Sequence, residues 1–394
     1  MASSSSSDNE TTARQRNRYP IATLLVSLAG LTLIFVIAYP FLAGGGRRPA
    51  PPEVEQVIEE VSIRMARLPA SERLRVAQEG FRSPNPLVRQ ATVEAILDWK
   101  VTEAYPLLEQ AFTDNCSAVR RRVLESLWRA DRERGIRLLL AALRDDDIDI
   151  RRTALNQARF TDDRRLVPAL IPLLDDGNPN IRLMAAGALR KITKQPYFAK
   201  STAPREEQQA VIRQWKAWWA REQSRWAEVV KQADVAPIHP TRTDPAPAFA
   251  LRSIDGERLR SRDLRGKLVL LHFYGTWCAP CETEMPHLSR LRQTYSPQEL
   301  VMIGVAVNET QGDRAVREWI GRFRIAYPQA LATPQVVSAY WVQGVPITYL
   351  IAPTGHIRYR LEGERDFETL RRIVERLRRE VSATGSTPTP AGER

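Results

Sequence analysis

The sequence predicts a multidomain chain in three parts: an N-terminal single transmembrane helix, an all-α solenoid of short repeats, and a C-terminal α/β domain. Three observations predict it. A long uncharged stretch stands near the start, an arginine recurs every 31 residues from Arg89 to Arg182, and after residue 245 apolar runs of strand length alternate with segments of helical period. At roughly 100 to 200 residues per domain, a chain of 394 residues with 43% hydrophobic side chains holds two or three cores.

The net charge is +12, yet all but seven of the 58 basic residues are arginine, and they are spread over the whole length. Nucleic-acid binding needs a basic stripe interleaved with aromatics, so no nucleic-acid partner is expected. Three cysteines and four histidines are too few for a disulfide scaffold or a zinc site built from Cys pairs, and no metal is expected.

Residues 1–18 read as a disordered cytoplasmic tail, since MASSSSSDNETTA is small and polar and cannot form a core. Residues 19–43 read as the transmembrane anchor. Ile21 to Ala43, IATLLVSLAGLTLIFVIAYPFLA, carries no charge, and about twenty apolar residues rising about 1.5 Å each span a hydrocarbon core of about 30 Å. A cleaved signal peptide would have a shorter apolar region ending in small-x-small, which Phe41-Leu42-Ala43 does not fit. Arg14, Arg16 and Arg18 face Arg47 and Arg48 across the span and tip the amino end weakly toward the cytoplasm. The expected location is thus the cell inner membrane, single-pass, with the folded domains on the periplasmic side and lipid contacted by this helix.

Residues 53–231 read as the repeat array. PLVRQATVEAIL, SAVRRRVLESLW, IDIRRTALNQAR and PNIRLMAAGALR place Arg89, Arg120, Arg151 and Arg182 in one register, and six residues before each stands a turn residue, Ser83, Asp114, Asp145 or Asp176. The apolar runs LRVAQEGF, YPLLEQAF, IRLLLAAL and VPALIPLL precede those turns. Each unit is therefore two amphipathic helices that cannot bury their apolar faces without neighbours. The pattern resembles short HEAT repeats, and its arginines read as structural, paired with the recurring acidic residues. EEQQAVIRQWKAWWAREQSRW continues the register, and Trp215, Trp218 and Trp219 are expected to seal the open end. EVEQVIEEVSIRMARL is expected to close the other. Cys116 shares the turn or cap position of Asn85, Asp147 and Asn178 and is read as an ordinary substitution in an exposed setting, with an accessible thiol that matters as the alternative.

Residues 232–244, dense in proline, read as a linker. Residues 245–381 form the α/β domain, with a disordered tail at 382–394. KLVLLHFYG and LVMIGVAVN read as strands and APCETEMPHLSRLRQTY and AVREWIGRF as helices. A strand pair, ITYLIA and HIRYRL, turns about Pro353-Thr354-Gly355, and FETLRRIVERLRREV closes the domain as a helix. Cys278 then precedes a helix start and Cys281 falls in its first turn. Unpaired amides and the helix dipole favour a thiolate at Cys278. A thiolate one turn from a second thiol can attack a disulfide and be released by its neighbour, which implies redox chemistry.

Residues 245–380 resemble the TlpA/ResA-like branch of the thioredoxin superfamily, through PAPAFALRSIDG, DLRGKLVLLHFYGTWCAPCETEMPHL, GVPITYLIAPTGHI and the last helix. The resemblance implies a thioredoxin-like fold and a thiol-disulfide oxidoreductase, most often a reductant, active in cytochrome c maturation or on other exported proteins. It implies that Cys278 attacks and Cys281 resolves, that Trp277, Pro280 and, after the helix's first turn, Pro286 belong to the motif, and that Pro346 is a cis-proline whose neighbour Val345 pairs with the client backbone. Glu284 matches an acidic residue that tunes the cysteines, against the alternative of a solvated helix glutamate.

His272 stands where the superfamily has a buried Asp or, in this branch, Asn. It can accept a proton from Cys281 or be a buried histidine bonded to backbone, the second being preferred. Glu282 and Ile347 replace a basic residue and a threonine common in the family, so client choice cannot be carried over. Beyond the Cys278–Cys281 disulfide no cofactor is expected. The expected partners are a disulfide-containing client, met by the repeats, and a thiol-reducing electron donor in the membrane. A protein-binding scaffold with a docking module, or a thiol oxidant or isomerase, are the rival readings.

Overall fold

The computed structural model describes residues 61, 63–233, 235–236 and 238–384. The expected tail 1–18, the anchor 19–43 and the end of the tail at 385–394 lie outside them. No helix among the described residues is long and apolar enough to cross a membrane.

The repeat region is helical: α1 (Ala70–Arg82), α2 (Pro86–Asp98), α3 (Tyr105–Ala111), α4 (Ser117–Ala130), α5 (Arg132–Ala142), α6 (Ile148–Ala158), α7 (Leu166–Leu170), α8 (Pro179–Thr193), α9 (Arg205–Glu222) and α10 (Ala227–Gln232). One helix read from VPALIPLL is broken instead. Pro172 follows α7 and opens a 3₁₀ turn, Pro172–Asp175, because proline cannot donate the amide that a continued α-helix requires.

The second helix of each repeat starts at a built turn. Ser83 Oγ and the Oδ1 atoms of Asp114, Asp145 and Asp176 accept the amide two residues on, at 3.2, 2.8, 2.8 and 2.9 Å. Asn85, Asp147 and Asn178 then cap α2, α6 and α8. The recurring arginine closes the same turn from behind: Arg89, Arg120, Arg151 and Arg182 donate to the carbonyls of Ser83, Asp114, Asp145 and Asp176. Each of the first three also meets the acid of the next repeat. Arg89 is bidentate on Asp114 at 2.6 and 2.8 Å, Arg120 faces Asp145 and Asp147 at 3.8 and 3.6 Å, and Arg151 lies 3.0 Å from Asp176. The arginines are therefore structural rungs.

Around them runs one apolar core from Val61 and Met65 to Trp215, Trp218 and Trp226. Trp215 stacks edge-on against Tyr197 and Trp218, and α9 thereby covers α8.

The α/β domain is built on a six-stranded sheet of β1 (Asp244–Pro245), β8 (His356–Glu362), β7 (Ile347–Ile351), β4 (Val269–Tyr274), β5 (Val301–Ala306) and β6 (Gln329–Leu331), in that spatial order. β4, β5 and β6 are parallel and β7, β8 and β1 antiparallel to their neighbours. A small hairpin, β2 (Ala250–Arg252) and β3 (Arg258–Arg260), forms a second sheet of two strands, joined to β6 by an isolated bridge between Ser253 and Ala330. Gly355, at φ +81°, makes the turn between β7 and β8. α11 (Ala279–Thr294), α12 (Asp313–Phe323) and α14 (Phe367–Thr384) pack with one apolar face, while the hairpin and α13 (Pro334–Ala339) pack with the other. β4 is buried along its whole length, as a central strand covered on both sides must be.

The turn edge of the repeats lies against the sheet and α14. Cys116 bridges to Arg360 of β8, Asn115 bonds to Asp244 and to the Ile357 carbonyl, and Asn178 bonds to Asp366. The proline-rich segment is tied down as well: Arg242 donates to the carbonyls of Phe81 and Ser83 at 2.8 and 2.9 Å, and Thr241 to that of Thr113 at 3.0 Å.

The exposed setting expected for Cys116 is not found. The residue is the N-cap of α4, as its register position implies, but it is fully buried, with Arg360 donating to its sulfur at 3.2 Å. The docked sheet covers a position that a free array would show to solvent.

Candidate active site

β4 ends at Tyr274, and the chain turns through Gly275-Thr276-Trp277 into α11. Gly275 is required by a close approach, since a Cβ there would lie 2.6 Å from the Trp277 ring. Glu309 pins the turn from the β5 side, accepting from the amide and hydroxyl of Thr276, both at 2.7 Å. Trp277 donates from Nε1 to the Val307 carbonyl at 3.2 Å and leaves 57% of its surface exposed, an apolar plate beside the sulfurs.

Cys278 is the N-cap of α11, and Pro280 stands in the first turn, where a missing amide costs nothing. Cys278 and Cys281 are disulfide-bonded. The Cys281 amide donates to Cys278 Sγ at 3.2 Å, so a helix N-terminal N–H already points at the sulfur that carries charge when the pair is reduced. Across the gap, Cys278 Sγ lies 3.5 Å from the Val345 carbonyl, and the Val345–Pro346 peptide is cis. Cys278 retains slight exposure while Cys281 has none.

One turn along the helix from the pair stands a buried polar group. Glu284, one helical turn beyond Cys281, is fully buried, which excludes the solvated helix glutamate. Burial pushes its carboxyl up to about 8, against the opposing pull of the Arg365 charge and of the Arg365 amide, which donates to Oε1 at 3.1 Å. His272 is also buried, and its Nδ1 is hydrogen-bonded to Thr348 Oγ1 at 3.0 Å. The backbone partner expected for His272 is thus replaced by a side chain, because β4 and β7 set His272 directly opposite Thr348. Burial pulls His272 down to about 3. Between those values both groups are neutral, so their 3.9 Å approach is no ion pair. Tyr274 stacks on His272, and Tyr327 lies close enough to Glu284 to feel its charge.

The structure thus brings together Trp277, Cys278, Pro280, Cys281, Val345 and Pro346, with Trp277 and Pro280 exposed, Cys281 and Pro346 buried, and Glu284 and His272 buried as well. Sequence reasoning did not find Thr348, Glu309 or Arg365. Thr348 was legible in principle from strand register, whereas Arg365 carries no local signal. Glu282, at the lip, pairs with Arg322.

Two bonded sulfurs, the slightly exposed one fed by a helix amide, exchange with a third sulfur. Fold and site together define a thiol-disulfide oxidoreductase. Residues 243–360 match the AhpC/TSA family, and 75–159 and 136–204 match HEAT repeats. The thiol-disulfide oxidoreductase ResA of Bacillus anthracis is 32% identical over 133 residues, 34% of this chain and 76% of that protein. ResA of Geobacillus kaustophilus is 35% identical over 134 residues, again 34% and 76%. A crystal structure of a thioredoxin-family thiol:disulfide interchange protein from Chlorobium tepidum is 29% identical, covering 35% of this chain and 98% of its own, with a TM-score of 0.33. The chain belongs to the ResA family of thiol-disulfide oxidoreductases, here joined to HEAT repeats.

Proposed function

We propose that the protein is a membrane-anchored reductant of disulfides in exported proteins, apocytochrome c among the candidate clients, with the helix at 19–43 as its inner-membrane anchor and both folded domains periplasmic. The repeats meet the client or a partner, and a thiol-reducing membrane protein returns electrons to the pair.

In the reduced protein the Cys278 thiolate attacks one client sulfur. A Cys278–client bond forms, the client disulfide breaks, and the second client sulfur leaves as a thiolate. Cys281 then loses its proton and attacks Cys278 Sγ, closing the Cys278–Cys281 disulfide and expelling the first client sulfur. Two electrons have passed to the client, whose thiolates take protons from solvent. Val345 offers its backbone to the client beside Pro346, Trp277 packs against it, and Glu284, with His272 behind it, serves as the proton acceptor for Cys281.

The observation that carries this reading is the Cys281 amide aimed at Cys278 Sγ at 3.2 Å, which stabilises charge on the attacking sulfur and not on the buried one. The test is thiol trapping of the pair in defined redox buffers. A potential near or below about −220 mV supports the reductant, and one near −120 mV would make the protein an oxidant. A pair that does not cycle leaves only the binding scaffold.

A further inference from the structure

Arg365 lies in the loop after β8 and is almost fully buried. Its guanidinium meets two acids of the repeat array at the start of α6: Nε lies 2.8 Å from Asp147 Oδ1, Nη2 3.2 Å from Asp147 Oδ2, and Nη1 2.8 Å from Asp149 Oδ2. Nη2 also donates to Ser117 Oγ at 3.3 Å, and Nη1 to the carbonyls of Glu362, Gly363 and Glu364. The same residue's amide holds Glu284 Oε1, while Glu284 Oε2 is buried with no hydrogen-bond partner. Two residues earlier in the loop, the Gly363 amide donates to the Pro346 carbonyl at 2.9 Å. One short loop therefore touches the repeat array, the cis-proline and the buried carboxyl one helical turn beyond the resolving cysteine.

We propose that Arg365 is a positioning residue through which the repeat array governs proton transfer at Cys281: Asp147 and Asp149 hold the guanidinium, the guanidinium holds the loop, and the loop holds Glu284. The proposal rests on the disulfide-exchange reading. In the release step the Cys281 S–H bond breaks and its proton passes to the Glu284 carboxylate. The sulfur's electron pair forms the bond to Cys278, and the Cys278–client bond breaks with its pair on the client sulfur.

A base works best when it titrates near the working pH. Burial drives Glu284 above that range, and the Arg365 charge draws it back, while Glu364 and Asp149 oppose Arg365. The other titratable groups facing Glu284 are His272 and, stacked on it, Tyr274 from β4, Tyr327 ahead of β6, Asp147 behind Arg365, and Cys281 on its own helix. Arg365 joins this group to the repeats through the charges of Asp147 and Asp149 and through the Ser117 hydroxyl.

The experiment uses the reduced full chain and dithionitrobenzoate, whose first chromophore leaves when Cys278 is labelled and whose second leaves when Cys281 resolves the mixed disulfide. The pH midpoint of the second phase is the readout. Arg365→Gln should raise it by about one unit or more, because a buried acid loses its cation. Asp149→Asn should lower it, since a repelling charge goes while Asp147 still holds Arg365, and Arg365→Lys should restore much of the wild-type midpoint. Glu284→Gln should erase the Arg365→Gln shift.

If Arg365→Gln and Asp149→Asn move the midpoint in the same direction, or the Arg365→Gln shift survives in Glu284→Gln, Arg365 is only structural and the proposal falls. Where Arg365→Gln does not fold, Asp149→Asn decides, an unchanged or raised midpoint overturning the proposal. A wild-type chain with no second phase at all would instead defeat the oxidoreductase reading beneath it.

Discussion

Glu284 and His272 are buried with pKa values moved in opposite directions, and each leaves a mark on stability. The Glu284 carboxyl titrates near 8 in the folded chain against an ordinary 4.5, so the folded state holds a proton that the unfolded state has lost, and stability falls as pH rises from 4.5 to 8. His272 titrates near 3 against 6.5, so the unfolded state binds the extra proton and stability falls as pH drops from 6.5 to 3. Between 4.5 and 6.5 the two slopes cancel. In thermal melts, Glu284→Gln should remove a decline seen between pH 6.5 and 8, and His272→Asn one seen below pH 4.5. Cys116 gives a second residue-scale prediction: in the reduced native protein iodoacetamide should modify Cys278 and spare Cys116 until the chain is unfolded, because Cys116 has no exposed surface. Its setting was not legible locally, since the sulfur is covered by a strand more than two hundred residues away.

The rungs between repeats differ in strength according to what they meet. Arg89 pairs with Asp114 in a buried two-bond geometry, whereas Arg182, in the last repeat, donates to the turn carbonyls of Asp176 and Gly177, with no acidic partner among the described residues. Arg89→Met leaves a buried carboxylate without its partner and should cost about 3 to 5 kcal/mol in chemical denaturation. Arg182→Met should cost about 1 kcal/mol or less, with no acid stranded. At the sealing helix α9, Trp215→Ala removes a fully buried ring packed against Tyr197 and Trp218 and should cost about 3 to 5 kcal/mol. The 31-residue spacing shows the ladder because each rung is built from residues at fixed offsets within one repeat and the next. The short strand β6 and helix α13 gave no such sign. β6 has three residues, too few for a period, and it forms because β5 offers it a partner edge.

At the scale of the molecule, the repeat array and the α/β domain share buried charges, so the connecting segment is held rather than free. Arg242 is bonded to the Phe81 and Ser83 carbonyls and paired with Asp244 at 2.8 Å. Tryptic cleavage after Arg242 should therefore be slow in the native protein. Arg242→Gln removes that site, so the check is Asp244→Asn, which keeps it and loosens the pair, and which should speed cleavage there. The turn edge around Asn115, Cys116, Asp147 and Asn178 is occupied by the chain's own second domain. A client met by the repeats must therefore use another face of the array.

By itself the sequence determined the parts: paired helices at a period of 31, a sheet with helices on its faces, and a cysteine pair at a helix start with Trp277 before it and Pro346 far along the chain. These were legible because each follows from local spacing, where a turn, a cap or an apolar period acts over a few residues. Only the tertiary structure decided that Cys116 is buried, that His272 bonds Thr348, and that Arg365 ties two acids of the repeats to Glu284. Each of these depends on strand register or on docking between distant segments, and a buried charge declares its partner only when the surfaces that exclude water have come together.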